Sequence, residues 1–280
     1  MSEERVSVAR LEPAGVSETL AVLPPGRLTW AVGSIHGDAE RLVGLHDALA
    51  RRIEPDHNLV YLGNIVGRGR HVAATVHEVL LFRRAVLSTQ LSPDSGSIVF
   101  LRGSQEEMWH KLLQLQFAPN PAEVLDWMIE RGIGTTVEAY GGSIEEGRSA
   151  ARRGAFVLSQ WTNRLRATVR SLDGHDRLLS TLKRAAYTAD GTSLFVSAGV
   201  DPARPLAQQA DALWWGSRAF ERDNAPYGSF NSIIRGFDPQ HRGAMVRAHT
   251  VSLDGGCGFS GNLIAGCIDG EGRLIETIEA

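Results

Sequence analysis

The chain is poor in cysteine: its 280 residues carry two, Cys257 and Cys267, on adjoining strand patterns near the C-terminus. Two thiols without histidine company exclude a zinc motif and a disulfide framework. They are expected as buried free thiols in a reducing, cytoplasmic setting. The chain also lacks an excess of either charge. Its 29 basic and 32 acidic residues leave a net charge of -3, so there is no basic footprint for nucleic acid. No stretch approaches the ~20 apolar residues that a membrane span needs. Glu3, Glu4 and Arg5 open a terminus with no long apolar region, so no secretory signal is expected. What the chain does have is core material. A hydrophobic content of 43% over 280 residues suits one large domain or two small ones. The expectation is a lead-in over 1–27, ending at Pro24-Pro25-Gly26, and a single domain over 28–280.

Three apolar runs, each stopped by a glycine turn and followed by a helical pattern, carry the chemistry-bearing residues. Leu28 to Val32 runs into Gly33-Ser34-Ile35-His36-Gly37-Asp38. Asn58 to Leu62 runs into Gly63-Asn64-Ile65-Val66-Gly67-Arg68-Gly69, and Ser97 to Leu101 into Arg102-Gly103-Ser104-Gln105-Glu106. Short continuous apolar runs of this kind read as buried strands. Side chains just beyond the carboxyl ends of such strands meet in one crevice.

In order and spacing these stretches resemble the signature of the calcineurin-like metallophosphoesterases. The closest group is the serine/threonine protein phosphatases and diadenosine-tetraphosphate hydrolases, which write the stretches GDxHG, GDxxDRG and GNHE. Three later blocks continue the likeness: Val196-Ser197-Ala198-Gly199 for HAG, Arg235-Gly236-Phe237-Asp238-Pro239 for GHT(P), and Leu253-Asp254-Gly255-Gly256 for the final DTG. The resemblance implies an α/β fold, a calcineurin-like metallophosphoesterase sandwich of two mixed β-sheets flanked by helices. It also implies a helical cap insertion over about 107–190. Members of the family hold two divalent metals such as manganese, iron or zinc.

The departures fall on the residues that would do the chemistry. By alignment to the family pattern, the six metal-ligand positions hold Ser34, His36, Asn64, Ser104, Ser197 and Phe237, and His36 alone keeps the family's residue. The general-acid histidine is replaced by Gln105, and the carboxylate that orients it by Gly67. Adjacent dications need anionic oxygen and nitrogen donors. A neutral Asn64 cannot offset cation–cation repulsion, and Phe237 offers no lone pair. Gln105 has no proton to give at working pH. No metal cofactor and no hydrolytic residue are therefore expected. Scaffold glycines, Arg68, Arg102 and Glu106 remain. The resemblance makes Arg68 the phosphate-binding arginine of DRG, and Arg102 is a second candidate. A further family arginine, expected in a W-I-R segment, is displaced to Arg218 in Trp215-Gly216-Ser217-Arg218.

Elsewhere the patterns predict helices over about 38–52, 71–88, 106–115 and 124–129, a glycine-rich loop over 132–147, and helical structure across 148–188. A strand over 193–198 and a helix over 206–222 follow, with loop over 224–228. Strands near 231–235, 244–253, 261–268 and 273–278 are expected to form a hairpin-rich second sheet. His249 in Arg247-Ala248-His249-Thr250 is read as an ordinary strand residue. His46, His57, His71 and His77 are read as packing or solvent residues.

The expected function is that of a catalytically inactive phosphatase-fold protein that binds a protein or a phosphorylated ligand. Two alternatives stand beside it. One is an active phosphoesterase with an atypical, single-metal site drawing on His36, Asp38, Asp201, Asp238 or Asp254. The other is a structural or oligomeric subunit.

Overall fold

In the computed structural model, residues 19–222 and 225–280 are described. The strand at the centre is β2, Thr29–Val32, buried at every position. It pairs in parallel with β3, Asn58–Tyr61, and antiparallel with β10, Ile264–Ile268. β4, Ile98–Phe100, and β11, Leu274–Glu279, complete a five-stranded sheet in the order β11-β10-β2-β3-β4. The period-two alternation of a strand sorts its two faces. Trp30, Val32, Leu59 and Tyr61 join the core under the helices. Ala31, Val60 and Leu62 face the other way, into the layer between the sheets.

The second sheet has six strands, in the order β1-β5-β6-β7-β9-β8. These are β1 Leu20–Leu23, β5 Ala185–Thr188, β6 Ser193–Val196, β7 Ser232–Arg235, β8 Gly243–Val246 and β9 Thr250–Asp254. Phe195, Ile234, Val251 and Leu253 meet the first sheet, while Leu194, Val196 and Ile233 pack outward with Trp214, Phe220 and Phe230. The fold is thus two mixed sheets face to face with helices outside, the sandwich expected from the motifs.

The first sheet's outer face is covered by α1 Ala39–Leu49 and α2 Val72–Thr89. Six more helices follow β4: α3 Ser104–Leu113, α4 Pro121–Glu130, α5 Gly134–Ala139, α6 Ile144–Arg153, α7 Ala155–Ser171 and α8 His175–Ser180. Their apolar residues, Trp109, Leu125, Tyr140, Trp161 and Leu165 among them, belong to the same core as α1 and α2. Two short helices, α9 Ala212–Trp215 and α10 Arg218–Arg222, lie beside β6 and β7. Among the described residues no helix is long and apolar enough to cross a membrane.

Several expectations need correction. Of the lead-in over 1–27, residues 1–18 lie outside the described residues, and Leu20–Leu23 is a full sheet strand paired in parallel with β5. The helical stretch over 148–188 is broken at Gly154 and Gly174, both at positive φ, and its end is strand β5. The 206–222 helix is divided by Gly216 at φ 71°. The glycine-rich loop contains α5. The strand over 244–253 is two strands joined by a turn at 247–249, so His249 is a turn residue. The last strands do not form one sheet: β7, β8 and β9 are in one, β10 and β11 in the other. Of the loop over 224–228, Asn224 lies outside the described residues.

Candidate functional site

The turns that leave β2, β3, β6 and β7 interlock through their backbones. The Ile35 N–H donates to the Asn64 carbonyl at 3.0 Å, Ser34 N–H to Gly236 O at 3.0 Å, and Phe237 N–H to Ser197 O at 2.9 Å. His36, Asn64 and Arg68 sit at φ 54°, 52° and 43°, in the left-handed region that non-glycine residues rarely occupy. Glu106 holds the turns in place. Its fully buried carboxylate accepts from the N–H groups of Asn64 (2.9 Å), Val66 (3.0 Å) and Gly103 (2.8 Å). Burial pushes its pKa up, and those three donors work against the rise.

The crevice brings Ser34, Asn64 and Ser104 into one hydrogen-bonded chain. Asn64 Nδ2 donates to Ser34 Oγ at 3.1 Å. Asn64 Oδ1 accepts from Ser104 Oγ and from the Gln105 backbone N–H, each at 3.1 Å. Gly103 is required here, because a Cβ on it would overlap the Asn64 backbone N and side chain. Ser197 lies fully buried nearby, and its hydroxyl has no partner among the described residues.

His36 is 1% exposed, and neither ring nitrogen has a partner among the described residues. It is walled by aromatic edges, Phe259 at 5.4 Å and Phe237 at 6.2 Å between ring centroids. The Gly258 backbone comes so close that a Cβ there would stand 2.5 Å from His36 Cβ. Burial, with Arg68 and His241 adding their charge, pushes its pKa down to about 3. The imidazole is therefore neutral at ordinary pH.

Gln105 and Gly67, which the family pattern aligns with its acid–base pair, pack against one another. Gln105 Nε2 donates to the Arg131 carbonyl at 2.9 Å. Gly67 has φ 96°, and a Cβ on it would overlap the Gln105 amide. A side chain at position 67 therefore requires the Gln105 side chain to move.

These residues do not fit a pair of divalent cations. His36 and Ser197 keep free lone pairs, but none of the six positions carries a carboxylate. The central oxygen, Asn64 Oδ1, already accepts from Ser104 and Gln105. Neutral donors cannot offset the repulsion of two dications. The nearby carboxylates are engaged elsewhere. Asp38 caps α1 by accepting from Arg41 N–H at 3.1 Å. Asp201 accepts from Ala203 N–H at 3.1 Å and pairs with Arg204 at 3.2 Å. Asp238 takes Arg242 Nε at 2.7 Å and Arg235 at 3.3 Å. Asp254 accepts from the Asp238 N–H at 2.8 Å, the Gly256 N–H at 2.9 Å and His241 Nδ1 at 2.9 Å. Among the described residues, the one trio of carboxylates and histidine close enough to share an ion is Glu54, Asp56 and His57. It stands before β3, at the strand end opposite the crevice.

The two candidate arginines part company. Arg102 donates to Glu107 at 3.1 Å. Arg68 has no ion pair among the described residues. Its guanidinium lies over the Phe259 ring at 4.1 Å, and its buried Nε has no partner. It borders an open cleft of about 370 Å³ with Asp38, Glu40, Gly69, Arg70 and His71. Burial lowers the Arg68 pKa. Phe259 and His241 were not singled out from the sequence. The available signal was the glycine spacing at Gly255, Gly256 and Gly258, which lets that loop press against His36.

Neither a family model nor a curated protein matches the sequence. Solved structures do. A chain assigned as a diadenosine tetraphosphatase superposes with a TM-score of 0.55 over 94% of this chain and 98% of its own, at 17% identity. A cold-active protein-tyrosine phosphatase from a psychrophilic Shewanella species gives 0.50 over 92% and 82%, at 12% identity. At such identities the likeness is one of fold. The protein therefore shares the two-sheet α/β fold of these phosphatase structures, and Ser34, His36, Asn64, Ser104, Ser197 and Phe237 lie just beyond the carboxyl ends of β2, β3, β4, β6 and β7.

Proposed function

We propose that this chain is a phosphatase-fold protein that binds without hydrolysing. It holds a phosphorylated ligand, or the protein that carries one, at Arg68. The observation that carries the reading is the Ser34–Asn64–Ser104 hydrogen-bond chain, which satisfies internally three of the six positions that the family pattern gives to a metal pair and leaves all six without a carboxylate. Without a metal, water keeps a pKa far above neutrality and is a poor nucleophile. Gln105 has no acidic proton to give a leaving group. An unpaired guanidinium fork still suits a phosphate-sized anion. Arg68 supports this role better than Arg102, whose charge is taken by Glu107.

The reading is tested by metal analysis of the purified protein, a phosphatase assay with added manganese, and a phosphate titration. The expected result is less than one metal per chain, no turnover, and saturable phosphate binding that Arg68→Ala removes. Two metals per chain with turnover would overturn it in favour of an active phosphoesterase. Absence of any anion binding would favour a structural subunit.

A further inference from the structure

Trp127 on α4 and Trp215 at the end of α9 meet edge to face, 5.6 Å between ring centroids. They are 39% and 37% exposed, unusual for the largest apolar side chain. The Arg131 guanidinium stacks on Trp127 at 4.1 Å. Beside Trp215 opens a cleft of about 430 Å³, with Ser217, Arg218, Glu221, Arg222 and Pro239 in its walls. Its wall residue Pro239 stands two positions after Phe237, so the cleft lies beside the crevice around His36 and shares none of the six positions there.

The charge of this face is lopsided. Arg131, Arg218 and Arg222 form no ion pair among the described residues, whereas the nearby Glu221 carboxylate is already held by Arg235 and Arg242. A chain of net charge -3 thus shows unbalanced guanidinium groups beside exposed indoles. Tryptophan and arginine together are the composition of interface hot spots. The Trp127–Arg131 stack, in contact with Trp215, extends the surface beyond the cleft itself. Single-stranded nucleic acid would need a longer cationic track than these three arginines make.

We propose that this face docks an acidic peptide segment of a partner protein. An apolar side chain packs against Trp215, and carboxylates pair with Arg218 and Arg222. The cleft shares no lining residue with the one bordered by Arg68.

The test uses the full chain and a fluorescein-labelled peptide of sequence Glu-Asp-Glu-Leu-Pro-Glu-Asp-Glu, read by anisotropy. A control peptide carries Gln and Asn in place of the acids. The expected result is saturable binding of the acidic peptide alone, weakening as salt is raised because exposed charges are screened. Trp215→Ala, and Arg218→Glu combined with Arg222→Glu, each lose about tenfold or more in affinity while their melting temperatures stay at the wild-type value. Arg68→Ala binds the peptide as wild type does, which separates this site from the phosphate site. Several results would overturn the proposal: no saturable binding, equal binding of the neutral peptide, or undiminished binding by both folded variants. So would tighter binding of oligothymidylate, or a wild-type dimer that Trp215→Ala dissociates, since a second copy would then cover the face.

Discussion

His36 carries a pKa of about 3 in the folded chain, against ~6.5 for an unhindered imidazole. Between those values the unfolded chain binds the extra proton and the folded chain does not. Stability is therefore full above pH ~6.5 and falls as the pH drops below it, by at most ~1.4 kcal/mol per pH unit for one proton. His46, His110 and His175 are also held low by burial and add to the same slope. Replacing His36 with Asn removes one proton's share. Urea unfolding between pH 7 and pH 4 is expected to show a shallower loss of stability in the variant, and an unchanged slope would refute the buried, neutral imidazole. The sequence showed that His36 alone keeps the residue of the family pattern at the six aligned positions. It could not show the cage, because Phe237 and Phe259 come from turns more than 200 residues further along the chain.

The turns are held by contacts that a pattern of apolar residues does not reveal. Strand ends were legible because β2, β3, β6 and β7 are buried on both faces and read as unbroken apolar runs. The breaks in the helical region were less legible, since each depends on a glycine taking positive φ, as at Gly154 and Gly174. The β1–β5 pairing joins residues some 165 positions apart with no local signal. Two predictions belong to these elements. Glu106→Ala strands three backbone donors in a buried site and is expected to cost ~3 kcal/mol or more. A change below ~1 kcal/mol in chemical denaturation would show that the turns hold without it. Gly67→Ala imposes a positive-φ penalty of ~1–3 kcal/mol and also meets Gln105. It is expected to cost less in a Gln105→Ala background. Additive costs in the double-mutant cycle would deny the overlap.

Across the whole molecule, the proposed metal-free crevice predicts a stability that does not depend on divalent ions. A ligand that binds only the folded state raises the melting temperature. Calorimetry with chelator, and with added manganese, is therefore expected to give the same melting temperature within ~1 °C. A rise of several degrees with manganese would reveal a site that these side chains do not supply. The sandwich was legible from the order of its motifs, while the division of the last five strands between two sheets was not: β10 enters the first sheet antiparallel beside β2, a long-range choice. The Gly67–Gln105 overlap has a consequence for engineering. A carboxylate placed at position 67 would meet both the φ of 96° and the Gln105 amide. The two positions therefore have to be altered together, since a replacement at 67 alone would report the clash rather than the chemistry of the new group.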